Sequence, residues 1–312
     1  MNVHEIVFKE LIKRGYSKHN GTRVWDISDS KLWYMTPELV KGFLRLEQFE
    51  PYKKNILAPE VSLFKAHTPK VIRLLESDSF NLIDMGCGDG LKSEIFIRHL
   101  PPAVRVRYCP VDISPQLIKQ AVNRIRAMRS GKVREIKTFS SDFGYIGSIL
   151  GVLRSSDYQK NLCLLLGSTL STFEINGFLY QISRRMFPGD VLVIGNGIRK
   201  GKRFVDLPKY RHPILDQWFV YLMRYLGFSD DEVRFDVRFA NGRLEGLYRI
   251  TTDKVISRNG QRAVFKRGDE VVVMIQYKYY ARELKKFCGL YFRNVELYKD
   301  PREEFALVLC VK

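Results

Sequence analysis

Four short clusters in this chain combine small residues and acids in the way a nucleoside-binding site requires. Asn81 to Lys92 reads Asn-Leu-Ile-Asp-Met-Gly-Cys-Gly-Asp-Gly-Leu-Lys, so Asp84 is followed by Gly86, Gly88 and Gly90 at alternate positions. Leu82 and Ile83 read as the end of a buried strand, the glycines as a tight turn, and Ser93 to Leu100 as an amphipathic helix. Such a turn brings backbone close to a ligand, because glycine has no side chain to obstruct it. Leucine at position 91 breaks the dinucleotide fingerprint G-x-G-x-x-G. Asp112 closes a second apolar run, where a carboxylate can accept both hydroxyls of a ribose. Asp142 and Phe143 close a third, an acid for an exocyclic amine and a ring for a base face. Gly167-Ser168-Thr169 closes a fourth, beneath the place of a reacting centre. Singly each is an ordinary helix cap or turn. At four successive strand ends they point to one bound nucleoside.

The elements that must position these clusters alternate regularly. A helix over 59–76 leads into a strand over 80–84, the glycine turn and a helix over 91–100. A strand over 104–111 ends at Asp112-Ile-Ser-Pro, and Ser114 with Pro115 starts a helix over 116–129 whose apolar stripe is Leu117, Ile118, Val122, Ile125 and Met128. Strands follow over 133–139, 162–166 and 190–194; that over 162–166 is almost wholly apolar, as a central parallel strand is. The alternation predicts an α/β fold with a doubly wound, mostly parallel, Rossmann-like sheet and its ligand at the carboxyl ends of the strands. Beyond Gly197 the pattern changes to a helix over 213–226 and antiparallel strands over 233–240, 244–252, 262–265 and 271–279, with turns at Asn241-Gly and Asn259-Gly. A helix over 283–288 and strands over 294–298 and 305–311 then complete the parallel sheet. The organisation expected is a ligand-binding domain over 61–198 and 283–312, with a discontinuous α+β accessory module over 1–60 and 199–282 carrying the acceptor site.

Composition sets the outer limits. The 312 residues are 45% apolar, as in a globular protein, and no run approaches the length of a membrane helix. The N-terminus lacks the basic region and long apolar run of a signal peptide. Cysteines 87, 109, 163, 288 and 310 form no C-x-x-C pair, so buried free thiols in a reducing cytoplasm are expected. The five histidines include no H-x-x-x-H pair, and no metal site is expected. The formal charge is +18, of which residues 201–312 carry +7 (22 Lys and Arg against 15 Asp and Glu), so the excess is spread along the chain without a basic tail. A solvated cationic surface is favoured over a nucleic-acid partner.

The turn Asp84-x-Gly86-x-Gly88-x-Gly90 looks like motif I of class I S-adenosylmethionine (SAM) methyltransferases. Taken with Tyr108-Cys-Pro-Val-Asp-Ile-Ser114, Ser141-Asp-Phe143, Leu166-Gly-Ser-Thr169, Gly189–Gly195, Val295-Glu-Leu-Tyr-Lys-Asp-Pro301 and Phe305-Ala-Leu-Val-Leu309, it resembles the histidine-specific SAM methyltransferases of the ergothioneine pathway and their relatives acting on other amino acids. The resemblance is clear over about 60–200 and 268–312. It implies SAM as cofactor, with Gly86, Lys92, Asp112, Asp142, Phe143 and Gly167 as its contacts; Asp84, Gly88, Gly90 and Ile113 are expected to bind it beside them.

The acceptor positions match less well. By the resemblance, a glutamate and a serine that grip the amino-acid substrate are replaced here by Met274 and Gln276, an asparagine that holds its amine by Thr172, and Tyr210 stands for a substrate-site tyrosine. Methionine cannot pair with imidazole or ammonium, and losing such a contact costs about 2–5 kcal/mol, which argues against free histidine. Methyl transfer from a sulfonium is an in-line displacement in which alignment supplies most of the help, and a base is needed only for a protonated nucleophile. Ser168, Thr169, Thr172 and Tyr210 are therefore expected as positioning residues around the transferred methyl group. An amino-acid-like or other small acceptor is the first expectation. An RNA- or protein-directed methyltransferase and a non-catalytic SAM-binding protein remain open.

Overall fold

The computed structural model describes residues 2–201 and 207–312, without the side chains of 208 and 209. The chain divides into two compact units, Glu50–Lys200 with Tyr279–Lys312, and Met1–Phe49 with Gly201–Lys278. These bounds differ from those expected at 60/61, 198/199 and 282/283. Residues 50–57 are helical and run straight into the helix Ala58–Leu75, which draws them into the first unit. At the other junction, Ile198 bridges Tyr279, and the Arg199 N–H donates to the Tyr279 carbonyl at 3.0 Å.

The first unit is built on a sheet of eight strands. Its main strands are β1 (Ser79–Met85), β2 (Arg105–Asp112), β3 (Val133–Ile136), β4 (Lys160–Leu165), β5 (Val191–Gly197), β6 (Asn294–Lys299) and β7 (Phe305–Val311), in the order β3-β2-β1-β4-β5-β7-β6. The eighth, Phe139–Ser140, pairs with the end of β2. β1 to β5 are parallel, as expected. Two expectations need correction. The third strand is interrupted after Ile136, and the terminal strands do not extend the parallel set: β7 pairs antiparallel to β5, and β6 antiparallel to β7.

Helices cover both faces of this sheet. Alternate residues of the strands, among them Leu82, Tyr108, Leu164, Val193 and Leu307, pack under α1 (Ala58–Leu75), α2 (Leu91–His99) and α3 (Pro115–Ala127). The opposite set, including Ile83, Cys109, Cys163, Ile194 and Cys310, packs under α4 (Ile146–Leu153), α5 (Ile175–Ser183) and α6 (Ala281–Gly289). Burial on both faces explains why these strands read as continuous apolar runs. All five cysteines are buried free thiols. Among the described residues, no helix is long and apolar enough to cross a membrane.

The starts of the central strands are tied together by a buried polar brace. Asn81 in β1 donates to the Asn161 side chain in β4 at 2.9 Å. Asp190, just ahead of β5 and fully buried, accepts from the Asn161 N–H at 2.9 Å, from the Phe187 N–H at 2.8 Å, and twice from Arg154 at 2.7 and 2.9 Å.

In the second unit five strands form a sheet in the order Tyr16–His19, Thr22–Asp26, Glu270–Tyr277, Arg243–Ile250, Val233–Ala240. Lys254–Arg258 and Gln261–Phe265 make a separate hairpin. Trp25, Trp33, Trp218 and Phe219 are central to its core, with the helices Val3–Arg14, Pro37–Gln48 and Pro213–Leu226 supplying other members. Three Asn-Gly pairs, at 20–21, 241–242 and 259–260, have positive φ at both residues, the backbone that two-residue hairpins demand.

Removing one partner from a buried, hydrogen-bonded charge pair leaves the other uncompensated. Asp190→Ala is therefore expected to destabilise the protein by about 3–5 kcal/mol. Urea denaturation at neutral pH measures this; an unchanged midpoint would show that the brace does not hold the sheet.

Candidate functional site

Parallel register brings the strand ends to one level. Met85 lies opposite Val111 on one side and Leu165 on the other, Leu165 opposite Ile194, and Asp112 opposite Ser140. The glycine turn, Asp112, Asp142 and Gly167 consequently emerge along the same edge of the sheet.

The turn after β1 has positive φ at Gly86 (71°), Gly88 (52°) and Gly90 (79°). At Gly90 glycine is also required by packing, since a Cβ there would lie 2.9 Å from the Ala121 Cα in α3. At Gly86 the requirement is different. A Cβ would lie in ordinary contact distance of Thr169 Oγ1 (3.5 Å) and Phe143 Cζ (3.6 Å), so the glycine leaves a shallow cradle between a hydroxyl and a ring. Asp89 does not face this cradle; it pairs with Arg124 of α3 at 2.6 Å and pins the turn from behind.

The acids flanking the turn divide into frame and site. Asp84 is buried, accepting from Ser93 Oγ at 2.6 Å and Tyr108 OH at 3.0 Å, so it fastens α2 to β1 and β2. Burial pushes its carboxyl above the usual range. Among the residues expected to hold the cofactor, Asp84 thus stands beneath the turn rather than in its opening. Asp112 caps its own strand, accepting from the Ser114 N–H at 2.9 Å, with half-buried Ile113 between them. Burial raises the Asp112 pKa to about 6, against the hydrogen bonds from Ser114, Gly88 and Ile113, which lower it. Asp142 accepts from the Gly144 N–H at 2.8 Å and starts the short helical turn Phe143–Tyr145. The Phe143 ring is held edge-on by Phe173 and Phe178, at centroid distances of 5.7 and 6.4 Å.

Hydroxyls after β4 are engaged by the backbone. Ser168 takes a left-handed φ of 59°, and its Oγ accepts from the Gly197 N–H at 3.0 Å. Thr169 Oγ1 donates to the Leu166 carbonyl at 2.7 Å, and Thr172 Oγ1 to the Thr169 carbonyl at 2.9 Å. These protons stabilise the loop, which leaves the two threonine oxygens as acceptors. Lys92, at the start of α2, pairs with Glu60 of α1 at 2.9 Å, and Glu60 also accepts from the Gly167 N–H. Sequence reasoning missed Glu60. Its signal was an acid at a core-facing position of the stripe continued by Leu63, Phe64 and Thr68.

Three further residues, all expected near the acceptor, lie in the other unit. Met274 packs into the core, 2% exposed, against Gly246. Gln276 and Tyr210 come together through Lys278, whose Nζ donates to Gln276 Oε1 and to Tyr210 OH, both at 3.1 Å. Among the described residues no cluster of three or more His, Cys, Asp or Glu side chains could hold a metal ion.

The cradle at Gly86, a ring on one side and carboxylates within the same edge, suits a nucleoside cofactor with a polar tail. The sequence matches the family described as histidine-specific methyltransferase, SAM-dependent, over residues 45–312. No curated protein is matched. Similar solved structures include a SAM-dependent methyltransferase from Clostridium acetobutylicum (13% identity, 86% of this chain and 98% of that one, TM-score 0.45). The CurJ carbon methyltransferase is another (14%, 91% and 61%, TM-score 0.49). A third is the Burkholderia thailandensis 1,6-didemethyltoxoflavin N1-methyltransferase with bound 1,6-didemethyltoxoflavin and S-adenosylhomocysteine (11%, 88% and 87%, TM-score 0.42). With a doubly wound sheet and a glycine turn at its tips, the chain belongs to the family of histidine-specific, SAM-dependent methyltransferases.

Proposed function

We propose that this methyltransferase acts on a small, amino-acid-like acceptor other than free histidine. The observation that carries the proposal is Met274, packed in the core at the position where the resemblance sets a substrate-gripping glutamate. A thioether there cannot pair with an imidazolium or ammonium as a carboxylate does. Gln276, at the position of the serine, carries no charge and is engaged by Lys278.

SAM supplies a methyl group already activated on sulfonium sulfur. The chain's own part is to bind, orient and exclude water. Asp112 as carboxylate would accept from the ribose hydroxyls, Asp142 would receive the base amine, and Phe143 would pack on the base. Gly86, Gly88 and Gly90 would admit the nucleoside to the backbone, and Thr169 and Thr172 would help to position the acceptor. Held in line, acceptor and methyl carbon gain several kcal/mol from alignment alone.

The state of Asp112 gives this proposal a pH signature. Its carboxyl titrates near 6 instead of 3.8, so it is ionised at pH 7.5 and about nine-tenths protonated at pH 5. SAM affinity should fall about tenfold over that interval, and Asp112→Asn should weaken binding and flatten the profile. The sign for stability is opposite. Between about pH 4 and 6 the folded free protein holds a proton that the unfolded chain releases, so this group's contribution to stability declines as pH rises. Calorimetric titration at the two pH values measures the first effect; a parent profile without slope would remove Asp112 from the site.

Incubation with SAM and single amino acids, followed by mass analysis, tests the acceptor. Free histidine should remain unmethylated, and efficient trimethylation would overturn the proposal.

An RNA acceptor is the second reading, favoured by the charge of +18. Because the excess is spread along the chain, tRNA binding should be weak and lost near physiological salt. A saturable complex at about 150 mM salt with methyl groups entering the RNA would decide for the second reading instead.

A further inference from the structure

On the far side of β1 from Asp112, the strand tips carry a buried charge pair. Glu60 in the first turn of α1 is 1% exposed, and its carboxylate has three neighbours drawn from three elements. It pairs with Lys92 of α2 at 2.9 Å and accepts from the Gly167 N–H after β4. It also presses on Gly195 of β5, where any Cβ would collide with it. Lys92 Nζ in turn stands over Gly167, 3.1 Å from the place of a Cβ on that residue. An acid at this depth is costly unless it is paired and hydrogen-bonded, and it is both.

We propose that Glu60 is a positioning residue for the cofactor: it aims Lys92 at the α-carboxylate of SAM. The inference rests on the SAM site above and extends it to a residue outside that site. Strand order fixes the direction. Phe143 and Asp142 follow the β3 side, Asp112 ends β2 and Gly86 ends β1, so a nucleoside laid over them runs β3, β2, β1. What remains of SAM beyond its sulfur then extends over the tips of β4 and β5. That remainder is an α-amino acid end bearing a carboxylate, and the cation at those tips is Lys92. Of the pair, Lys92 is the reachable member, 20% exposed against 1%. Glu60 therefore acts through it.

The test compares two ligands that share the adenosine part. S-adenosylhomocysteine has the amino-acid end; 5′-methylthioadenosine stops at the sulfur. Titration calorimetry on the full chain should show Glu60→Gln weakening S-adenosylhomocysteine by about tenfold or more, with 5′-methylthioadenosine changed less than about twofold. Lys92→Met should reproduce that selective loss, and the two losses should not add in the double variant. Glu60→Asp, one methylene shorter, keeps the charge and provides the comparison if Glu60→Gln does not fold. A pin that merely joins helix to sheet would lower both affinities together. An unchanged ratio in Lys92→Met and in a folded Glu60 variant would overturn the proposal. If the parent binds neither ligand, the SAM site itself falls, and Glu60 with it.

Discussion

Everything at the candidate site depends on backbone register in the parallel strands. Because Met85, Val111, Leu165 and Ile194 stop at one level, the residues that follow them share an edge although they are far apart in sequence. A one-residue slip in any strand would turn its side chains to the opposite face. Strand composition alone guards weakly against such slips here, since both faces are apolar. The polar brace of Asn81, Asn161, Arg154 and Asp190 does so better: a buried side chain that must meet a particular amide tolerates no neighbouring pairing. A polar group at one end of the sheet thus helps to fix the geometry of the other end.

The tips show the same economy of parts. Asp84, Asp89 and Ser168 carry residue types that suggest ligand contacts, yet each is engaged by the protein itself. Asp84 holds Ser93 and Tyr108, Asp89 holds Arg124, and Ser168 holds the Gly197 amide. What they secure is the shape of the cradle. Asp142 and Phe143 stay partly exposed along the same edge, and Asp112 caps its own strand there.

Much of this was legible in the sequence because local chemistry encodes it. The glycine turn announced itself by spacing, and the helix at Pro115 by its cap residue Ser114, which accepts from the Leu117 N–H. Asn241-Gly and Asn259-Gly announced hairpins. The strand pair Tyr16–His19 and Thr22–Asp26 went unread although Asn20-Gly21 carries the same turn signal, since Tyr16–His19 is exposed throughout and shows no apolar alternation. Strand direction was not legible for β6 and β7. β7, buried on both faces, has the same composition whether its neighbour runs with it or against it, and β6 at the sheet edge is only partly buried. Glu60 escaped notice because its partners come from α2, β4 and β5, and no spacing within α1 reveals them.

The bridge between Ile198 and Tyr279 closes the ends of a long excursion: the chain leaves the sheet after β5 and returns to the same point before α6. The segment between them is not self-contained, since it shares a sheet with Thr22–Asp26 and a core with Trp25 and Trp33. For protein engineering, splice points at 198 and 279 therefore need a third at 49/50, so that the N-terminal residues are exchanged with the segment they pack against.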